Sequence, residues 1–178
     1  MSRFAHALVV GGSGMLAGSC RALLDVSDKV SVLARDERRI RGIAPAIHPV
    51  LCDYKDTDAF AVALAALDPP DLAIAWIHGR LPDARRALAE RVKPGGRLVH
   101  VLGSAHGDPS HPERLAEMAK AAEGLPITYQ AAVLGFVVEG SRSRWLSNDE
   151  ISRGVFEAVQ SGAPLRIIGT VEPWSARP

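Results

Sequence analysis

The chain has 178 residues, of which 47% are hydrophobic and 23% charged, and its net charge is +1. This composition is ordinary for a globular protein, and the length fits one domain spanning residues 1–178. A net charge near zero argues against nucleic acid or an anionic membrane as the main partner. Since no apolar run approaches the length of about 18 residues that crosses a bilayer, we expect no membrane span and a cytoplasmic protein.

Segments typical of strands and of helices alternate along the chain. Strands are predicted at residues 6–10, 30–34, 47–51, 72–77, 97–102, 127–133 and 165–168. Helices are predicted at residues 15–25, 36–41, 57–67, 83–92, 110–122 and 147–160, the last two opening with the capping-box patterns of Ser110 and Ser147. The apolar character of several strands is typical of strands covered on both faces. This order predicts an α/β fold, a three-layer doubly wound parallel sheet of Rossmann-like type with about seven strands. Residues 135–145 are predicted as a long irregular loop near the ligand.

A glycine cluster follows the first strand at once, and a helix-forming run follows the glycines. Gly11 or Gly12 permits a sharp turn, Gly14 lets the backbone approach a pyrophosphate, and Ala17 is small enough for close packing. The start of the helix offers unpaired N–H groups and positive charge to phosphates. The pattern predicts a dinucleotide-binding unit, and the alternative is a glycine turn that binds no nucleotide. The residues predicted to hold the cofactor here are Gly11, Gly12, Ser13, Gly14, Met15 and Leu16.

The end of the second strand bears on which nicotinamide coenzyme is bound. An acidic residue at this point holds the ribose hydroxyls of NAD. Here the position is Ala34, and Arg35 follows it, whose guanidinium can pair with a 2′-phosphate. We therefore expect NADP(H) in preference to NAD(H). Two alternatives stay open: Arg35 is a surface residue and Asp36 a helix cap, or Asp36 reaches the ribose and restores NAD.

The third strand ends in Asp53, with Tyr54 after it. Asp53 is placed to accept a hydrogen bond from the adenine amino group. The alternative is a helix cap before Thr57, and the sequence leaves both open. Tyr54 belongs near the same adenine end of the ligand.

These residues together resemble the short-chain dehydrogenase/reductase superfamily. Residues 11–17 are similar to its glycine motif, read Gly-x-x-Gly-x-x-Gly/Ala. The resemblance implies that Asp53 binds adenine, that Ile77 and His78 support the cofactor, and that Ser104 is the catalytic serine. Taken alone, Ser104 is equally well a turn residue between a strand and a loop.

One departure from that family affects the chemistry. The family's proton donor is a Tyr followed four residues later by a Lys, on the helix after the catalytic Ser. That helix contains Lys120, but Ala116 stands where the Tyr belongs, and the only tyrosines are Tyr54 and Tyr129. Two functions follow: an oxidoreductase that passes a hydride from NADP(H) to a flavin, a quinone or a small carbonyl acceptor, or a non-catalytic NADP(H)-binding sensor or regulatory module.

The other candidate groups give weaker predictions. Arg142 and Arg144 either bind an anion or are solvated surface charges. His100 is predicted as a hydrogen-bonded interior histidine rather than a catalytic one. The histidines and the two cysteines do not have metal-ligand spacing, so we expect no metal. A small-molecule substrate is expected, but the residues do not name it. A homodimer formed through the helices that flank the later strands is one alternative, and no residue decides the oligomeric state.

Overall fold

The structure is a computed structural model that describes residues 3–178. Nine strands follow one another in chain order: β1 (Phe4–Val10), β2 (Ser27–Ala34), β3 (His48–Leu51), β4 (Leu72–Ala75), β5 (Arg97–Leu102), β6 (Thr128–Leu134), β7 (Phe136–Glu139), β8 (Arg142–Trp145) and β9 (Leu165–Ile168). Six α-helices lie between them: α1 (Ala17–Leu23), α2 (Glu37–Arg41), α3 (Thr57–Ala65), α4 (Pro82–Arg91), α5 (Glu113–Ala119) and α6 (Asn148–Ser161). Short 3₁₀ turns occur at Ser104–Gly107, Lys120–Ala122 and Trp174–Ala176.

Seven of the strands form one sheet in the order β3-β2-β1-β4-β5-β6-β9, and every neighbouring pair is parallel. The predicted doubly wound α/β fold is therefore confirmed. The chain builds outward from β1 to β3, then returns to the other side of β1 to add β4 and the rest. The boundary between β1 and β4 is the point where strand order reverses, and open α/β sheets bind ligands at the carboxyl ends of the strands there.

Alternate side chains of the central strands are buried on opposite faces of the sheet. In β1, Ala7 and Val9 pack in the cluster that includes residues of α1 and α6. Leu8 and Val10 pack in the cluster that includes residues of α3 and α4. Burial on both faces explains why the strand is apolar at successive positions rather than at alternate ones.

A close contact between α1 and α6 fixes the position of the glycine loop. The Gly18 amide donates to Ser152 Oγ at 3.1 Å, and this hydroxyl donates to the Met15 carbonyl at 2.7 Å. A Cβ on Gly18 would lie 2.8 Å from Ser152 Cβ, which is closer than two such atoms pack. The small residue that permits close packing between these two helices is Gly18.

The predicted irregular loop at residues 135–145 is wrong. This stretch forms the antiparallel hairpin β7–β8, with Phe136 opposite Trp145 and Glu139 opposite Arg142. Gly140 begins the two-residue turn at φ +63°, a conformation typical of tight hairpin turns. Each strand of the hairpin has only four residues, so its sequence pattern is too short to stand out from a loop.

Of the two predicted capping boxes, one is confirmed. At α6 the Ser147 hydroxyl accepts from the Glu150 amide, and the Glu150 carboxylate accepts from the Ser147 amide. At α5 the pattern fails: the helix begins at Glu113 with Pro112 as its N-cap, and Ser110 lies in a turn where its amide donates to Asp108. Among residues 3–178, none of the helices combines the length and the apolar character needed to cross a membrane.

The contact between Gly18 and Ser152 predicts a large effect of a small substitution. Gly18→Val should lower the free energy of unfolding by about 2 kcal/mol, because the added atoms overpack the α1–α6 contact. Urea denaturation measures this difference. Arg21→Val, at an exposed position of the same helix, controls for the weaker helix propensity of valine. Equal losses in the two variants would contradict the packing argument.

Candidate functional site

The glycine loop lies at the carboxyl edge of the sheet, where strand order reverses. Gly11 has φ +76°, and a Cβ there would lie 2.7 Å from the carbonyl oxygen of Trp76, just after β4. Both the backbone angle and the close approach therefore require glycine. A Cβ on Gly12 would lie 2.8 Å from Val9 Cγ1, so this residue is constrained by the core below it.

Gly14, in the second half of the loop, faces open space. A Cβ on Gly14 would meet nothing within 4 Å. Within residues 3–178, the N–H groups of Ser13, Gly14, Met15 and Leu16 have no hydrogen-bond acceptor, while Gly14 itself accepts from the Ala17 amide at 3.0 Å. Free donors beside the open space at Gly14 fit a phosphate group.

Arg35 and Asp53 lie across from each other after β2 and β3. Arg35 Nη1 is 3.7 Å from Asp53 Oδ2, and Arg35 is largely exposed. An ion pair so exposed contributes little to stability and exchanges readily for a better anion. Asp53 Oδ1 accepts from the Lys55 amide at 3.0 Å, whereas the cap of α3 is Asp56. The alternative role of Asp53 as a helix cap is therefore wrong.

Asp36 is engaged at the start of α2. Its Oδ1 accepts from the Arg39 amide at 3.2 Å, and its Oδ2 lies 3.7 Å from Arg39 Nε. Asp36 is thus the helix cap that the sequence offered as one alternative. Arg35, the residue before it, takes no part in capping the helix.

Ile77, His78 and Tyr54 meet next to the glycine loop. Ile77 is buried, and the His78 amide donates to the Tyr54 hydroxyl oxygen at 3.4 Å. The sequence had predicted a strand through residue 77. The strand ends at Ala75 because its partner β1 ends at Val10, which is paired with Ala75.

A cavity of about 850 Å³ opens beside these residues, between the end of β4, the end of β5 and helices α4 and α5. Trp76, Ile77 and His78 line one side of it, and Ser104 and His106 line another. A smaller cavity of about 190 Å³ meets it at Gly103 and Ser104. The glycine loop lies outside both cavities, on the open edge of the sheet.

Ser104, just after β5, is a buried polar residue and is 7% exposed. Its Oγ accepts a hydrogen bond from Arg177 Nε at 3.0 Å. The guanidinium of Arg177 lies over the rings of Trp145 and Trp174, at 5.1 and 5.3 Å from their centroids. Sequence reasoning missed Arg177 because 73 residues separate it from Ser104, and no local pattern reports that contact.

Both tyrosine hydroxyls have hydrogen-bond partners other than Ser104. Tyr54 accepts from the His78 amide, as described above. The Tyr129 hydroxyl lies 3.1 Å from His100 Nδ1, and the two rings pack edge to face. Burial raises the pKa of Tyr129 and lowers the pKa of His100 to about 3. His100 is the interior histidine that the sequence predicted, and it is neutral at physiological pH.

Other predicted candidates have structural partners. Arg144 donates to Glu139 and forms a double hydrogen bond with Glu150, which lowers the pKa of Glu150 to about 2. Its role is to join the β7–β8 hairpin to the start of α6. The described residues contain no group of three or more potential metal ligands, and Cys20 and Cys52 are free thiols.

Comparison with protein-family models and with curated protein sequences gives no match. Solved structures do match. A short-chain dehydrogenase from Burkholderia cenocepacia in complex with NADP has a TM-score of 0.68 and 18% identity, over 96% of this chain and 91% of that chain. A metagenomic short-chain oxidoreductase in complex with NADP has a TM-score of 0.63 and 19% identity, over 93% of this chain and 97% of that chain. A short-chain dehydrogenase/reductase from Serratia marcescens has a TM-score of 0.66 and 18% identity, over 94% and 98%.

The chain has the fold of the short-chain dehydrogenases/reductases. In this fold the chain has a glycine loop at the reversal of strand order and a buried serine after β5. It differs from the pattern implied by the resemblance in having no tyrosine on α5, whose sequence is ERLAEMA.

The buried imidazole makes the stability of the short-chain dehydrogenase fold depend on pH. Because the pKa of His100 is about 3 in the folded chain and about 6.5 in an unfolded one, the unfolded state binds an extra proton in between. Protonation of the unfolded state therefore destabilises the folded chain as the pH falls through 6.5. The free energy of unfolding should be about 2 kcal/mol lower at pH 5 than at pH 7.5. Urea denaturation of wild type and His100→Gln at both pH values measures it.

His100→Gln should be less sensitive to this pH change than wild type, even if it is less stable at pH 7.5. His6, whose pKa burial also lowers, is present in both proteins and cancels in the comparison. His48→Gln, at an exposed position, is the matched control and should keep the wild-type sensitivity. The same pH sensitivity in the His100 variant would contradict the buried neutral imidazole.

Proposed function

We propose that this protein binds NADP(H) along the carboxyl edge of the sheet. The observation that supports this proposal most directly is the glycine loop, where N–H groups without an acceptor lie beside the open space at Gly14. Gly11 to Leu16 hold the pyrophosphate, Asp53 and Tyr54 flank the adenine, and Ile77, His78 and Ser104 line the path toward the nicotinamide. The NADP in two structures of the same fold supports this choice of ligand.

The preference for NADP(H) over NAD(H) rests on charge at the end of β2. Arg35 is exposed and its nearest carboxylate, on Asp53, is 3.7 Å away. A 2′-phosphate carries more charge than that carboxylate and offers three acceptor oxygens to the guanidinium fork. Since Asp36 is engaged as the cap of α2, it does not compete as a ribose ligand.

We propose that the bound cofactor serves an oxidoreductase. The reduced nicotinamide supplies a hydride when it is bound. Ser104 is the residue placed to donate a hydrogen bond to the acceptor oxygen. Because Arg177 donates to Ser104 Oγ, the positive charge of the guanidinium favours negative charge that develops beside this hydroxyl. Acceptors that need little proton transfer from the protein, such as a quinone, a flavin or an activated carbonyl, suit a site with no tyrosine on α5.

The second candidate function is a non-catalytic NADP(H) sensor or regulatory module. The engagement of both tyrosines with other partners favours it, since no phenol is available beside Ser104. Mixing the NADPH complex with a quinone, a flavin and small carbonyl compounds, and following NADPH absorbance, separates the two. Oxidation faster than without protein supports the reductase, and tight binding without oxidation supports the sensor. The expected cytoplasmic location stays a prediction, and the oligomeric state stays open.

Gly14→Ala tests the phosphate site without disturbing the fold. The new Cβ meets no protein atom, so the urea midpoint should be unchanged. It would occupy the space of a phosphate that approaches the backbone, so NADPH affinity should fall about tenfold or more, which corresponds to about 1.4 kcal/mol. Calorimetric titration with NADPH measures it. Unchanged affinity would show that the loop does not hold the pyrophosphate.

Arg35→Ala tests the coenzyme preference. NADPH affinity should fall about tenfold, because a charge-assisted pair is lost, while NADH affinity stays within about twofold. Arg21→Ala, in the last turn of α1, removes the same charge elsewhere and should change neither affinity. A parallel loss for both coenzymes would exclude a role for Arg35 at the 2′-phosphate.

A further inference from the structure

Ser104 and Arg177 present two sets of free hydrogen-bond donors side by side. A guanidinium has no acceptor, so Ser104 Oγ must be the acceptor in the 3.0 Å bond from Arg177 Nε. The hydroxyl hydrogen of Ser104 is therefore left for another acceptor. Within residues 3–178, the terminal amino groups of Arg177 have no hydrogen-bond or carboxylate partner, although the side chain is held at Nε.

Arg177 is also held in place by aromatic rings. Trp145, at the end of the β7–β8 hairpin, and Trp174, in the last 3₁₀ turn, each lie within 5.3 Å of the guanidinium carbon. A ring over the face of a guanidinium leaves its in-plane N–H groups free for hydrogen bonds. The side chain therefore loses little conformational entropy when it binds a planar anion.

The charges around the large cavity favour an anion as well. Its wall includes six cationic side chains and two acidic ones, Asp83 and Glu117. The cations are Arg80, Arg85, Arg86, Arg114, Lys120 and Arg177. Arg86 and Arg114 are paired with carboxylates, and Arg85 donates to the carbonyls of Ile77 and Gly79. Arg177 differs in adjoining a buried hydroxyl that has a free hydrogen.

We propose that Ser104 and Arg177 together bind the oxo and carboxylate oxygens of a 2-oxo acid. Neighbouring oxygens of a planar 2-oxo acid are separated by about the distance between two hydrogen-bonded heavy atoms, near 3 Å. The Ser104 hydroxyl donates to the oxo oxygen, and the Arg177 amino groups donate to the carboxylate. The cavity of about 850 Å³ leaves room for a side chain as large as an aromatic ring.

This inference deepens the proposed function, because it names the class of acceptor that the oxidoreductase would reduce. Binding of the acid is nevertheless measured independently of turnover. The probes are phenylglyoxylate, its uncharged methyl ester and benzoate, which keeps the carboxylate but has no oxo group. Isothermal titration calorimetry is done on the full chain with and without saturating NADP⁺.

Phenylglyoxylate should bind at least tenfold more tightly than its ester and than benzoate. Arg177→Ala should lower the affinity for phenylglyoxylate tenfold or more and so remove the preference for the acid over the ester. Arg177→Lys should keep only part of this preference, because lysine lacks the two-pronged guanidinium. Ser104→Ala should lower the affinities for the acid and for the ester by the same factor, because both have the oxo oxygen. A loss of positive charge would lower the affinity for the acid only. Lys93→Ala, an exposed cation before β5 at the opposite edge of the sheet, should change nothing.

Equal binding of acid and ester, or a preference that survives Arg177→Ala, would overturn the inference. Tighter binding of all probes by Arg177→Ala would also overturn it, since Arg177 would then block the cavity. The urea midpoint of each variant checks that it is folded. If NADPH binds and is oxidised by a quinone while the acid and the ester bind equally tightly, the proposed function stands and this inference fails. If phenylglyoxylate binds through Arg177 while NADPH does not bind, the inference stands and the proposed function fails.

Discussion

The close approach of Gly11 to the Trp76 carbonyl determines how the ligand edge is built. The missing Cβ lets the turn after β1 rest on the backbone that leaves β4, with a clearance no other residue would allow. These are the two strands between which the order of the sheet reverses. Because their carboxyl ends touch, the glycine loop and the wall of the large cavity are neighbours, and one extended ligand can contact both.

Features encoded over a few residues could be predicted from the sequence. The glycine loop, the sheet and the capping box at Ser147 depend on spacing within short segments, where propensity and hydrogen bonding act locally. The same logic failed at Ser110, because Asp108 forms a turn that places Ser110 before the helix start. It also failed at the β7–β8 hairpin, where a Gly140–Ser141 turn between two short runs with strand propensity was the available signal.

The candidate site depends on contacts that sequence spacing does not report. Ser104 could be located because it follows an apolar strand, but its partner Arg177 is reached only through the path of the chain after β9. The position of Trp145 depends in turn on the hairpin and on the hydrogen bonds of Arg144 with Glu139 and Glu150. Arg144, which the sequence offered as an anion ligand, thus holds the hairpin in place. The hairpin in turn supports Arg177, the arginine of the proposed anion site.

Under the proposed function, the electrostatics of the cavity would let the site work without a phenol. A tyrosine donor needs a nearby cation to lower its pKa, whereas a serine hydroxyl stays protonated and acts only as a hydrogen-bond donor. Arg177 beside Ser104 favours negative charge on an acceptor oxygen without giving up a proton. Such a site favours acceptors whose reduced form is stabilised by fixed positive charge and is protonated by water, which is the behaviour expected of an activated carbonyl or a quinone.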